Sequence, residues 1–150
     1  MPNWQPAQVI IDAMQIRDLH KPEVESVRQL LCACGWAHRV GDPTQFALLI
    51  SNTPRTAVAL EGKEIIGFAR GITDGLSNGY LSMVVVSPEH QRQGVGRALV
   101  QHVMGNNKRI TWVVRAGHDD ASGFFTKLGF SISSVAMERL RASPPADGAA

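Results

Sequence analysis

Val86-Ser-Pro-Glu-His-Gln-Arg-Gln-Gly-Val-Gly-Arg97, entered from the apolar run Tyr80-Leu-Ser-Met-Val-Val-Val86, is the stretch whose reading decides the fold. An apolar, β-branched strand runs into a proline turn, then a basic pair of glycines, then a helix that begins near Val95. That order gathers a row of backbone N–H groups and the positive end of a helix dipole at one point. Gly94 and Gly96 let a ligand approach the backbone closely, because no Cβ stands in the way. Arg92 and Arg97 flank them, and guanidinium groups pair well with phosphate oxygens. The stretch is a pyrophosphate cradle.

Three other readings compete with it. A dinucleotide fingerprint needs a third glycine, and the position that should carry it is Leu99. A P-loop needs a Gly-Lys-Ser/Thr ending, which is missing here. The plainest alternative is an ordinary strand–turn–helix junction whose glycines only turn the chain. The whole string is more specific than its glycines.

Val86-x-Pro88 followed by Gln91-Arg92-Gln93-Gly94-Val95-Gly96-Arg97-Ala98-Leu99 resembles the acyl-coenzyme A signature of the GNAT N-acetyltransferases, Gln/Arg-x-x-Gly-x-Gly/Ala. Downstream, Ala121-Ser-Gly-Phe-Phe-Thr-Lys-Leu-Gly-Phe130 is similar to that family's short helix ending in Tyr-x-x-x-Gly-Phe. The two motifs stand in the family's order, with a strand-like Arg109-Ile-Thr-Trp-Val-Val-Arg115 between them. The resemblance covers residues 55 to 141 well and the first fifty in outline.

Composition sets the outer limits. A chain of 150 residues is one domain with a single core. Its 44% hydrophobic and 19% charged residues are ordinary for a globular protein. A net charge of +2 with scattered arginines argues against nucleic acid as a partner. The apolar runs are too short to span a bilayer, and Met1-Pro-Asn-Trp lacks signal-peptide order, so no membrane role and a cytoplasmic location are expected. Cys32 and Cys34 stand two apart, a spacing that disfavours a disulfide within a helix. His38 is near, but a zinc site needs a fourth ligand, so no metal is expected and the thiols read as small packing groups.

Along the chain, residues 1–8 read as a flexible lead-in, 9–141 as the folded domain and 142–150 as a disordered tail. A first strand is expected over 9–16. A helix starts at Pro22 with acidic residues in its first turn and stops at Gly35. A second follows Asp42-Pro43, with Asp42 as N-cap and Pro43 first in the helix. A hairpin of strands spans 55–61 and 65–72, and a loop spans 74–79. After the cofactor strand come a helix over 95–104, a strand over 109–115, a helix over 121–128 and a terminal strand pair within 130–140. The order β-α-α-β-β-β-α-β-α-β is an α/β fold, a mixed sheet with helices on both faces. The GNAT resemblance implies that this sheet splays apart beside the cofactor strand, leaving a gap for a pantetheine arm.

The resemblance also implies roles. Acetyl-CoA is the expected co-substrate. Backbone groups of Val84, Val85 and Val86 bond the pantetheine amides, and the Val84 N–H faces the acetyl carbonyl as an oxyanion-type donor. Gln91, Arg92, Gln93, Gly94, Val95, Gly96, Arg97 and Ala98 wrap the diphosphate. Many relatives protonate the departing sulfur with the tyrosine before x-x-x-Gly-Phe; here that position is Phe125, which has no proton to give and is expected only to contact the cofactor. The asparagine often found seven residues earlier is His118. These departures leave the general acid unassigned.

Tyr80 and Ser82 fall where various relatives place the group that accepts the amine proton. They share one face of the strand. Tyr80 can relay or donate a proton, and Ser82 can hold a water. His118 is a third candidate, since an imidazole titrates near neutrality. Asp42 and Asp74 border the expected acceptor pocket and can attract a cationic amine, although acidic loop residues are usually only solvated. The expected activity is acetyl transfer to a primary amine of a small molecule, in a cytoplasmic protein whose reading leaves room for a homodimer. The rivals are a protein acetyltransferase acting on lysine or an N-terminal amine, and a non-catalytic acyl-CoA-binding module.

Overall fold

In this computed structural model, which describes residues 9–11, 14–117 and 121–142, the apolar run after residue 8 forms two strands rather than the single one expected. β1 (Val9–Ile11) and β2 (Met14–Arg17) pair antiparallel, with Ile11 opposite Met14. Both halves are β-forming, and Asp12-Ala13 offers no glycine to announce a reversal, so the run reads as one strand.

A tight turn at Lys21–Glu23 opens α1 (Val24–Leu31). Glu23 accepts the His20 N–H at 2.8 Å and meets Arg17 at 2.6 Å, and the guanidinium holds its carboxyl below the usual range. The helical path loosens at Cys32–Trp36, where Gly35 takes φ +92°, and a short α2 (Ala37–Val40) follows. That left-handed glycine ends the regular helix, as its sequence position predicts. Both cysteines are free thiols packed against the core beneath, where burial pushes the Cys34 thiol up. α3 (Pro43–Ser51) starts as its sequence dictates, with the Asp42 carboxylate accepting the Gln45 N–H at 2.8 Å.

β3 (Arg55–Glu61), β4 (Glu64–Thr73) and β5 (Asn78–Val86) then form an antiparallel meander. The chain crosses over through a turn at Pro88–His90 and α4 (Val95–Met104) to β6 (Thr111–Val114). The described strands lie in one sheet in sequence order, and β5–β6 is its parallel pair. A crossover helix is what a parallel neighbour requires.

The sheet separates two layers. On one face Val58, Leu60 and Phe68 pack with Val27, Leu31 and Phe46 from α1 and α3. On the other lies α4, whose Leu99 and Val103 press so close that a Cβ at Gly67 or Gly71 would lie 2.9 or 2.4 Å from them. Burying each of these large side chains stabilises the fold by roughly 1.5–3 kcal/mol.

The chain divides into two units, the first ending at Val114 and the second starting at Arg115. The second holds α5 (Ala121–Lys127), where Phe125 is buried with its ring edge-on to Phe124 and Phe130, at 4.9 and 5.5 Å. Gly129 at φ +96° ends it. The terminal strand pair expected within 130–140 is not formed among the described residues. The Ser133 hydroxyl instead accepts the N–H groups of Val135 and Ala136, a local arrangement that competes with a ladder. Ile132, Val135, Met137 and Leu140 are exposed. The expected lead-in and residues 143–150 of the expected tail lie outside the described residues.

Candidate functional site

β5 carries the site because one of its edges is open. Its pairing with β6 runs from Asn78–Thr111 to Leu81–Val114 and ends there, while pairing with β4 continues to Val86. Among the described residues, 82–86 therefore pair with a strand on one side only. A bulge opposite Ala69 breaks the β4–β5 register, and Met83 takes φ +53° at that point. For a non-glycine residue this is a costly conformation, of the kind that concentrates at functional sites.

Backbone direction follows from one hydrogen bond. The Ser87 N–H donates to the Ile66 carbonyl at 2.8 Å. Alternation along the strand then turns Val85 toward β4 and aims the N–H and C=O groups of Val84 and Val86 at the open edge. Gln91 Nε2 reaches back to the Val86 carbonyl at 3.1 Å.

The glycine turn lies just beyond. Arg92 and Gly94 both take left-handed backbone, at φ +64° and +82°, and a Cβ built on Gly94 would meet open space. Gly94 is the N-cap of α4, and no side chain caps that helix. Its first internal bond is Ala98 N–H to the Gly94 carbonyl at 3.1 Å. The N–H groups of Val95, Gly96 and Arg97 thus have no intrahelical acceptor. Arg92, Gln93 and Arg97 are exposed at the rim, and neither arginine joins an ion pair among the described residues.

Orphan N–H groups, a helix N-terminus and two guanidinium groups fit a diphosphate. The open edge fits an extended chain bearing amides. Together they fit a donor of the acyl-coenzyme A kind, which would supply an acyl group activated as a thioester.

A second cluster holds the turn in place. Ser87 Oγ and His90 Nδ1 are 2.6 Å apart, and His90 Nε2 lies 3.2 Å from a Glu61 carboxylate oxygen. His90 thereby ties the start of the cradle to the end of β3. The sequence reading passed over it, because a histidine between two motif positions gives no signal until Glu61 is placed across from it.

Tyr80 and Ser82 stand on the same sheet face, opposite Ile72 and Arg70 of β4. Both are half-buried, and Ser82 is the first β5 residue past the last β6 pair. Two acidic candidates have structural jobs. Asp42 caps α3, and Asp74 closes its own loop by accepting from the Ser77 hydroxyl and from the N–H groups of Leu76, Ser77 and Asn78. Those bonds hold the Asp74 carboxyl far below the usual range. Both carboxylates are thus engaged in a cap and a loop as well as standing at the positions the sequence singled out. Phe125 belongs to the second unit and is part of its aromatic cluster. His118 lies outside the described residues.

Comparison with known proteins agrees with this geometry. The sequence model of the acetyltransferase (GNAT) family matches residues 15–130. The chain is 23% identical over 128 residues to the uncharacterized N-acetyltransferase ycf52 of Pyropia yezoensis, covering 79% of this chain and 74% of that one. It is 31% identical over 58 residues to the peptidyl-lysine N-acetyltransferase YjaB of Escherichia coli, covering 39% and 40%. Its fold is similar to that of the GNAT family protein SP0256 from Streptococcus pneumoniae, with a TM-score of 0.68 and 24% identity over 87% of this chain and 96% of that one. With a match spanning most of its length, the chain belongs to the acetyltransferase (GNAT) family.

Proposed function

We propose that the protein moves the acetyl group of acetyl-CoA to a primary amine of a small molecule, by direct attack in a ternary complex in the cytoplasm. One observation carries the reading: the open β5 edge at Val84 and Val86 leads directly to the uncapped N-terminus of α4. An elongated donor laid along that line has its diphosphate at Gly94 and Gly96 and its thioester beside Val84.

The chain's own groups then have simple tasks. The Val84 N–H donates to the oxygen on which charge develops, a preorganised contact of the kind that contributes most to acyl transfer. The edge and the acceptor pocket hold the two reactants together, which contributes several kcal/mol, roughly 7–11 where alignment is good. The attacking amine must be neutral, and its proton leaves as the C–N bond forms. Tyr80 and Ser82 are the hydroxyls on the adjoining face to accept or relay that proton, and the thiol leaves protonated.

The partial match to a peptidyl-lysine N-acetyltransferase favours a second reading, transfer to protein lysines. A transfer assay separates the two. Acetyl-CoA is offered with a panel of small primary amines and, separately, with lysine peptides, and free thiol is followed together with acetylated product. The proposal expects product from at least one small amine at a kcat/KM tenfold or more above that for any peptide. Transfer to peptides alone would establish the rival. Tight coenzyme A binding with no transfer to either would make the chain an acyl-CoA-binding module.

A further inference from the structure

Arg70 is a cation without a carboxylate partner among the described residues, on the sheet face shared by Ser82 and Tyr80. It sits mid-strand on β4, opposite Thr56 of β3 on one side and Ser82 of β5 on the other. Its Nε donates to Thr53 Oγ1 at 3.2 Å, and the Thr53 hydroxyl is itself tied to the Leu49 carbonyl at 2.8 Å. The guanidinium plane is therefore oriented from α3. A guanidinium has five N–H donors, and this bond uses one of them.

The contrast with other arginines is informative. Arg17, Arg28 and Arg115 meet carboxylates, and Arg55 donates to the Val103 and Met104 carbonyls at the end of α4. Arg70 is half-buried and has no carboxylate within ion-pair distance among the described residues. Burial pushes its guanidinium below the ordinary value, and only the nearby Tyr80 phenol opposes that. A partly desolvated charge left unpaired costs stability, and it makes a strong partner for an incoming anion.

Position turns this into a statement about the acceptor. Ser82, across from Arg70, is the residue at which the β5–β6 gap opens. Val84 is two residues further along β5, just past the bulge at Met83. In the neighbouring row, Ile72 and Val113 flank Tyr80 and are 42% and 44% exposed. They offer an apolar wall beside the cation. Asp42 and Asp74, the acids that the sequence places near this pocket, are engaged in a cap and a loop.

We infer that the acceptor amine carries its own anionic group, a carboxylate or a phosphate a few bonds from the nitrogen, and that Arg70 binds that group bidentately while the carbon skeleton lies over Ile72, Tyr80 and Val113. This rests on the acetyl-transfer reading and narrows it to one substrate class. Arg70 also keeps a positive charge near the amine, which disfavours the ammonium form and so favours the nucleophile.

The test uses matched amines that differ only in the anion: tyrosine against tyramine for a carboxylate, and phosphoethanolamine against ethanolamine for a phosphate. Each is assayed for transfer with the wild type, Arg70→Gln and Arg70→Lys. Where an amine is not turned over, it is titrated by calorimetry into protein saturated with coenzyme A. The expected result is a preference of about tenfold to a hundredfold for an anionic member, the range set by a charged hydrogen-bonded pair. That preference should shrink to within about twofold in Arg70→Gln and survive in part in Arg70→Lys. Which pair shows it identifies carboxylate or phosphate. Thermal denaturation checks the fold, and Arg70→Gln should melt no lower than wild type, because it removes an unpaired charge. Equal use or equal binding of charged and neutral members, or a preference untouched by Arg70→Gln, overturns the inference while leaving acetyl transfer standing. Failure of coenzyme A itself to bind would instead remove the acetyl-transfer reading.

Discussion

Tyr80 is the one tyrosine in the chain, and β5 places its ring half-buried on the same face as Ser82. Phe125 stands where the resemblance implies a proton-donating tyrosine, and the proposed function gives the proton movement to a hydroxyl on this face. A well-placed acid or base contributes about a hundredfold to ten-thousandfold. Tyr80→Phe keeps the ring and its packing and deletes only the hydroxyl. Its kcat should fall within that range, with the KM for acetyl-CoA little changed. A loss below about threefold in steady-state kinetics would make Tyr80 a packing residue. The sharing of a face by Tyr80 and Ser82 was legible in the sequence, because strand periodicity alone fixes it. Arg70 was not. Its meaning comes from what it lacks, and a missing carboxylate partner is visible only once every neighbouring element has been placed.

At the scale of elements, the gap beside β5 depends on how β6 is held. Trp112 lies opposite Gly79 in the parallel pair, and its ring also covers Gly71 of β4. The Arg55 guanidinium lies 5.9 Å from the centre of that ring. A Cβ on Gly79 would fall 2.5 Å from the Trp112 ring, so the indole would have to move. Gly79→Ala should therefore destabilise the protein by about 1–3 kcal/mol, the usual cost of overpacking. Urea denaturation reads this as a lower midpoint with an unchanged slope. An unchanged midpoint would mean that β6 is free to shift and does not fix the gap. The central elements were readable because each carries its own signal. Asp42-Pro43 announces α3, alternation announces β3, and Gly94 and Gly105 bracket α4. The errors fell where a segment's state depends on a partner. The N-terminal run is two strands because it doubles back on itself. The alternating segment after Phe130 looks like a strand but finds no ladder among the described residues.

On the scale of the whole molecule, the layout follows from one asymmetry. Among the described residues, five strands run antiparallel in sequence order, and the sixth arrives parallel after a helix crossover. A crossover leaves from the end of β5, so the N-terminus of α4 necessarily stands beside the strand whose edge is open. The anion site and the amide-bearing edge are thus products of a single connection. The cradle could be read from sequence because its glycines and arginines are contiguous. The open edge could not, since it is defined by where hydrogen bonding between β5 and β6 stops. The central claim is that coenzyme A occupies this line, and a titration with coenzyme A followed by amide NMR tests it directly. The account predicts saturable shifts of the N–H resonances of Val84, Val86, Gly94, Val95, Gly96 and Arg97, with the amides of β2 and β3 unmoved. Saturable binding that leaves those six resonances in place would contradict it.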